Sequence, residues 1–192
     1  MGALRPNFLL EEKNMKFTPR RIAFSGILAA LYAAITIVEG LLAPELAYGT
    51  IQFRFAEALT VLCCFTPAAI PGMVVGCFVS NFFNPLGFST VDAVFGTTAT
   101  LLACLLTRLM SRKLEQKPWI SCLVPLPTIL FNAAIIGAEL AIFVDEGAFL
   151  PAWGYNALTV GAGEAAVLYV LGLPLLFWLW KDKRMSAPLK SF

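Results

Sequence analysis

Apolar residues in this chain come in long blocks separated by short stretches rich in Pro, Gly and charge, and the blocks set the first expectation. Crossing a hydrocarbon core roughly 30 Å thick takes about 20 helical residues. The first block runs from about Thr18 to Val38 and ends at a loop holding Glu39, Gly40, Pro44, Glu45 and Gly49. A second begins near Ile51, and the run from Phe55 to Phe83 has no charge after Glu57. The sequence "FTPAAIPG", with Pro67, Pro71 and Gly72, reads there as a tight turn between two helices. Spans two and three are therefore expected to end near Phe65 and Phe83.

After "NPLG" the pattern predicts a fourth span from about Ser89 to Met110, then the basic segment "RLMSRKLEQK". A fifth runs from about Trp119 to Val144, its start bent by Pro125 and Pro127, and "DEGAFLPAWG" reads as a polar hairpin. A sixth span follows from about Tyr155 to Trp180. The expectation is an all-α integral membrane protein with six transmembrane helices over residues 16–184, between a polar leader (1–15) and a tail (185–192). The opening "MGALRPNFLLEEKN" lacks the hydrophobic core and cleavage site of a signal peptide and reads as a flexible leader or an expression remnant.

Composition sharpens this picture. The 192 residues are 59% hydrophobic and 14% charged, against roughly 25% charged in soluble domains. The formal net charge of +2 gives no general attraction to nucleic acid. There is no His, and Cys63, Cys64, Cys77, Cys104 and Cys122 show no CxxC spacing, so neither a metal site, a redox centre, a disulfide framework nor a catalytic residue is expected. All five cysteines lie in apolar stretches, where a thiol behaves as a small hydrophobe. No G-x-x-x-x-G-K-[ST] loop is present, no inverted repeat is evident, and no cofactor is expected. Six short-looped helices without a motor suggest a transport subunit that borrows one.

Charge placement orients the bundle. Lys and Arg near span ends favour the cytoplasmic side. Arg5, Lys13, Lys16, Arg20 and Arg21 precede span one, Arg108, Arg112, Lys113 and Lys117 join spans four and five, and Lys181, Lys183, Arg184 and Lys190 follow span six. Thirteen of the 14 bases thus agree on cytoplasmic termini, and Arg54 is the exception. Glu39, Glu45, Glu57, Asp92, Glu139, Asp145, Glu146 and Glu164 lie in spans or toward the outer side, which suits a cationic or donor-rich solute arriving from outside.

An ionised side chain inside a membrane usually faces a cavity or a partner. Arg54 and Glu57, three residues apart, could pair on one helix face and lock its end, contact a solute, or both. Glu139 and Glu164 lie inside spans five and six, Asn81 and Asp92 near the turn of spans three and four, Asn132 deep in span five and Asn156 at the start of span six. Lone asparagines often join helices, but this many acids and amides with one base point to a polar pocket open to the outside. Tyr48, Phe53, Phe55, Phe82, Phe83, Trp153 and Tyr155 form either an interface belt or a stacking wall for a planar ring. In span one, Ser25, Ala29 and Ala33 form one small-residue stripe and Gly26, Ala30 and Ala34 the next, for packing within the bundle or for docking another subunit; Gly72 and Gly76 add a weak GxxxG.

The runs "YGTIQFRFAEALTVL", "FTPAAIPG", "NPLGFSTVDAVFGTTATLLA" and "NALTVGAGEAAVLYVLGLPLL" together resemble the queuosine-precursor transporter family, QueT type, over about Lys16 to Leu176. Members are substrate-binding S components of energy-coupling factor transporters in bacteria. The resemblance implies a multi-pass protein of the bacterial cell membrane that captures a queuosine precursor, 7-aminomethyl-7-deazaguanine, from outside. It implies docking onto a membrane coupling (T) subunit and two ATPases, through AxxxA positions matched here by Ala29 with Ala33 and Ala30 with Ala34. Release would follow toppling of the S component, powered by its partners. The substrate-binding residues expected on this footing are Tyr48, Arg54, Glu57, Asn81, Asp92, Asn132, Glu139, Trp153, Asn156 and Glu164. A carboxylate such as Glu57, Glu139 or Glu164 would bind the purine-like edge bidentately, Asp92 would take the ammonium, and Asn81, Asn132 or Asn156 the carbonyl edge. The alternatives are an S component for another vitamin or nucleobase, an intramembrane enzyme, and a structural membrane protein.

Overall fold

The computed structural model describes residues 18–84, 89–114, 118–182 and 189. The leader and most of the tail fall outside these residues. Helix α1 (Pro19–Leu42) starts where the pattern predicts, with Thr18 as its N-cap accepting from the Arg21 amide and Pro19 in the first turn, where a missing N–H costs nothing. It runs four residues past Val38, stopping ahead of Pro44, so Glu39 and Gly40 are helical and not in the loop. A short α2 (Pro44–Tyr48) and an extended stretch lead to a 3-10 helix over Phe55–Cys64. The turn that follows is shorter than expected: α3 (Ala69–Asn81) already contains Pro71 in its first turn and Gly72 beyond it.

Helix α4 spans Ser89–Leu114, and a 3-10 turn at Pro118–Leu123 precedes α5 (Leu126–Phe143), with Pro125 at its N-cap and Pro127 in its first turn. Helix α6 (Phe149–Val167) passes through a π turn at Leu168–Gly172 into α7 (Leu173–Lys181). The widened turn sits directly ahead of Pro174, whose ring would otherwise press on the carbonyl four residues back. Because α6 begins at Phe149, the expected polar hairpin shrinks to residues 145–148, and Pro151 lies inside the helix.

Among the described residues, four helical stretches are long and apolar enough to cross a membrane: Pro19–Leu42, Thr90–Ser111, Ser121–Phe143 and Phe149–Lys181. The 3-10 helix and α3, expected as spans two and three, have ten and 13 residues. At about 2.0 and 1.5 Å rise per residue each covers roughly 20 Å, short of the roughly 30 Å core. Their placement explains the shortness. Helices α1, α3, α4, α5 and α6 pack in that order, and the 3-10 helix touches α1, α3, α4, α6, the π turn and α7. It is an interior element: Ala56, Glu57, Ala58, Thr60, Val61, Leu62 and Cys63 are all buried.

Close backbone approach fixes two of these contacts. A Cβ on Gly72 or Gly76 would lie 2.8 Å from the Ser25 or Ala29 carbonyl, so the GxxxG of α3 seats on the backbone of α1 at Ser25 and Ala29, between Leu28 and Tyr32. Ala29 is half-buried and Ala33 buried against the rest of the bundle. The adjacent Gly26, Ala30 and Ala34 stripe is exposed. Hydrogen bonds then sort the bundle into two ends. Ser25 Oγ reaches the Ala68 carbonyl and Arg108 the Cys64 carbonyl, which groups the 65–68 turn with Arg20, Arg21 and Lys181. The main hydrophobic core includes Leu28, Val61, Met73, Val124 and Leu176, and reaches the polar residues through Tyr32 and Cys77.

Candidate functional site

The polar side chains of the other end form a closed interior cluster, not the open pocket that the sequence suggests. Its centre is the extended stretch 52–54 and the first turn of the 3-10 helix. Gln52 passes so near α6 that a Cβ on Gly163 would fall 2.0 Å from the Gln52 carbonyl oxygen. This crossing drives Arg54 inward, to 2% exposure, ahead of the helix that Glu57 begins.

Arg54 and Glu57 do not pair. Arg54 caps the 3-10 helix with ψ of 92°, outside the helical region, and the two side chains take different hydrogen-bond partners while staying within electrostatic reach of each other. Arg54 Nε donates to the Ala47 carbonyl at 3.2 Å, its Nη2 to Asn81 Oδ1 at 3.4 Å, and its guanidinium lies 5.6 Å from the Tyr48 ring centroid. Tyr48, between α1 and the 3-10 helix, donates to the Ser80 carbonyl at 2.9 Å. Burial pushes its phenol up to about 12, so it remains a donor at ordinary pH. Asn81 donates to the Asp92 carbonyl at 2.9 Å, and α4 closes over both at Gly96, where a Cβ would meet Asn81 at 2.4 Å.

Glu57 has its own partners. Tyr32 of α1 donates to Glu57 Oε1 at 2.6 Å, and Thr100 of α4 donates to the same oxygen at 3.2 Å. Across the bundle, Asn132 of α5 donates to Glu164 Oε1 of α6 at 3.0 Å, and Glu164 lies within electrostatic reach of Glu57 and Arg54. Glu57, Glu164, Asn81 and Asn132 are fully buried. Several of their polar atoms make no hydrogen bond inside the protein: Glu57 Oε2, Glu164 Oε2, Asn132 Oδ1, Gln52 Oε1 and Arg54 Nη1.

The remaining expected residues sit at the edges. Glu139 is buried and faces Asp92, whose carboxylate accepts from Asn84, while Asn156 donates to Asp145 at 2.6 Å. Trp153 is half-buried and donates to the Ala134 carbonyl at 3.1 Å, apart from the cluster. Phe82, Phe83 and Tyr155 point outward at 50%, 64% and 62% exposure, as an interface belt does; of the expected aromatic wall, Tyr48 alone lies against Arg54. A groove of about 440 Å³ opens away from the cluster, lined by Ala34, Val38, Leu42, Leu46, Phe55 and Glu39. Glu39 gives one oxygen to the Phe55 amide at 3.2 Å. Tyr32, Gln52 and Thr100 escape sequence reading: hydroxyls are common in apolar helices, where they can bond to their own backbone, and Gln52 sits at the edge of the loop before the apolar run. No group of three metal-ligating side chains occurs among the described residues.

Comparison with known proteins supplies the family. The family model described as "QueT transporter" matches residues 22–181. A curated relative, the queuosine precursor transporter QueT of Lactococcus lactis subsp. cremoris (strain MG1363), is 35% identical over 150 residues, covering 76% of this chain and 83% of the relative. No solved structure matches the chain.

Proposed function

The chain belongs to the QueT transporter family, and from that premise we propose that it is the substrate-binding S component of an energy-coupling importer. It takes 7-aminomethyl-7-deazaguanine from the outer side of a bacterial cell membrane, with both termini in the cytoplasm. A membrane coupling subunit and two ATPases supply the motor. The observation that carries this reading is the excess of unpaired acceptors in the buried cluster. Glu57, Glu164, Asn132 and Gln52 each keep an acceptor free, against the free Nη1 of Arg54. A 7-deazaguanine with an aminomethyl group brings several N–H donors, a carbonyl and a positive charge, which complements that set.

A transporter family is the premise, so capture and not turnover is the role assigned. The exposed Gly26, Ala30 and Ala34 stripe is the docking face left for the coupling subunit. Native mass spectrometry of the purified protein, with tagged pull-down from its own host, tests the reading. A bound 7-deazaguanine and co-purifying ATPases support it. A different retained heterocycle would reassign the substrate, and reproducible absence of an ATPase would remove the importer.

A further inference from the structure

Glu57 and Glu164 come from different elements, yet each is held in the same manner. One oxygen is committed: Glu57 Oε1 accepts from Tyr32 at 2.6 Å and from Thr100 at 3.2 Å, and Glu164 Oε1 accepts from Asn132 at 3.0 Å. The other oxygen of each, Oε2, is buried and makes no hydrogen bond within the protein. Leaving a buried acceptor unmatched is costly, more so for a charged group, so two such oxygens near one another are an arrangement that needs donors.

The geometry also limits which donors fit. Bidentate reading of a guanine-type edge uses both oxygens of one carboxylate. Glu57 Oε1 already accepts two bonds, so Glu57 has only Oε2 to give, while Glu164 Oε1 is turned toward Asn132 and its Oε2 is the oxygen without a partner. We propose, on the basis of the transport reading above, that Glu57 and Glu164 grip one solute as two single-oxygen acceptors, with Arg54 Nη1 donating to its carbonyl. Tyr32 is the positioning residue that aims Glu57. The solute of the transport reading above, a planar lactam heterocycle with several N–H donors and a positive charge, has donors for both oxygens. Bidentate capture by either glutamate alone is replaced by a shared grip.

The test is titration calorimetry of the full chain in nanodiscs with 7-aminomethyl-7-deazaguanine, with thermal melts run in parallel. Glu57→Gln and Glu164→Gln should each weaken binding by about 10- to 100-fold, the range expected for losing one hydrogen bond to a charged group. Glu146→Gln, at an exposed outer loop, should leave it unchanged. Tyr32→Phe keeps the ring and should weaken binding by about 10-fold, but by less than about 2-fold when introduced into Glu57→Ala, where no carboxylate remains to be aimed. Equal loss from Tyr32→Phe in both backgrounds would reduce Tyr32 to a packing residue and overturn its assignment. Binding by the unaltered protein with both Gln variants within 2-fold of it would overturn the shared grip while leaving the transport reading standing. Absence of binding by the unaltered, folded protein overturns both.

Discussion

Arg54 is the base that breaks the charge pattern of the sequence, and the structure supplies its reason for being there. Its Nε and Nη2 hold the Ala47 carbonyl and Asn81, which ties the α2 segment to the end of α3, while Nη1 stays free. On the proposed reading, holding and solute contact are two ends of one guanidinium. Arg54→Ala leaves the Ala47 carbonyl and Asn81 Oδ1 without these donors, at about 1–3 kcal/mol for a buried group. The expected result is a lower melting temperature together with weaker solute binding, read by thermal melt and calorimetry; full affinity in a destabilised variant would confine Arg54 to holding. Arg54→Lys should recover little of either, because one ammonium cannot reach three directions in a plane. The positions of Arg54, Glu57 and Glu164 are legible in sequence, since charge in an apolar run is conspicuous. Their partners are not: Tyr32 and Thr100 look like ordinary span residues until packing brings α1 and α4 to Glu57.

At the scale of elements, the 3-10 helix over Phe55–Cys64 is the part that periodicity misjudges. Its apolar run looks like half of a membrane hairpin, yet it is wrapped by other helices and exposes little of itself to lipid. Apolar composition is the same whether the surroundings are lipid or protein, so sequence alone does not separate the two. What holds the extended stretch ahead of it in place is the crossing at Gly163, where any Cβ would collide with the Gln52 main chain. Gly163→Ala should destabilise the isolated protein by about 1–3 kcal/mol, as overpacking does, and should displace Arg54 and Gln52. Gly26→Ala is the matched comparison. A Cβ there meets nothing within 4 Å, so helix propensity predicts equal or higher stability by up to about 1 kcal/mol. Circular-dichroism melts of both variants check the contrast.

For the molecule as a whole, the two ends differ in chemistry. Arg20, Arg21, Arg108 and Lys181 mark one; Glu39, Glu139, Asp145 and the Arg54 cluster mark the other. If the basic end is cytoplasmic, a single cysteine placed at Glu146 in a cysteine-free background should react with a membrane-impermeant maleimide in intact cells, and one at Lys181 only after permeabilisation. The opposite pattern would invert the bundle. Segregation of this kind suits a solute entering at the acidic end and a motor acting at the basic one.

The amino-acid pattern by itself determined the class of molecule, because apolar blocks of membrane length and thirteen bases at matching ends are properties of single segments. It also marked the acids and amides that cannot lie in lipid unaided. Tertiary structure decided the rest: that two expected spans are short and one of them interior, that Gly72 and Gly76 of α3 meet the Ser25 and Ala29 backbone, and that Arg54 and Glu57 take separate hydrogen-bond partners. Those outcomes depend on which surfaces meet, through contacts between residues far apart in the chain such as Gly76 with Ala29, Gly163 with Gln52 and Tyr32 with Glu57. No local pattern encodes them, since each partner taken alone is compatible with several neighbours.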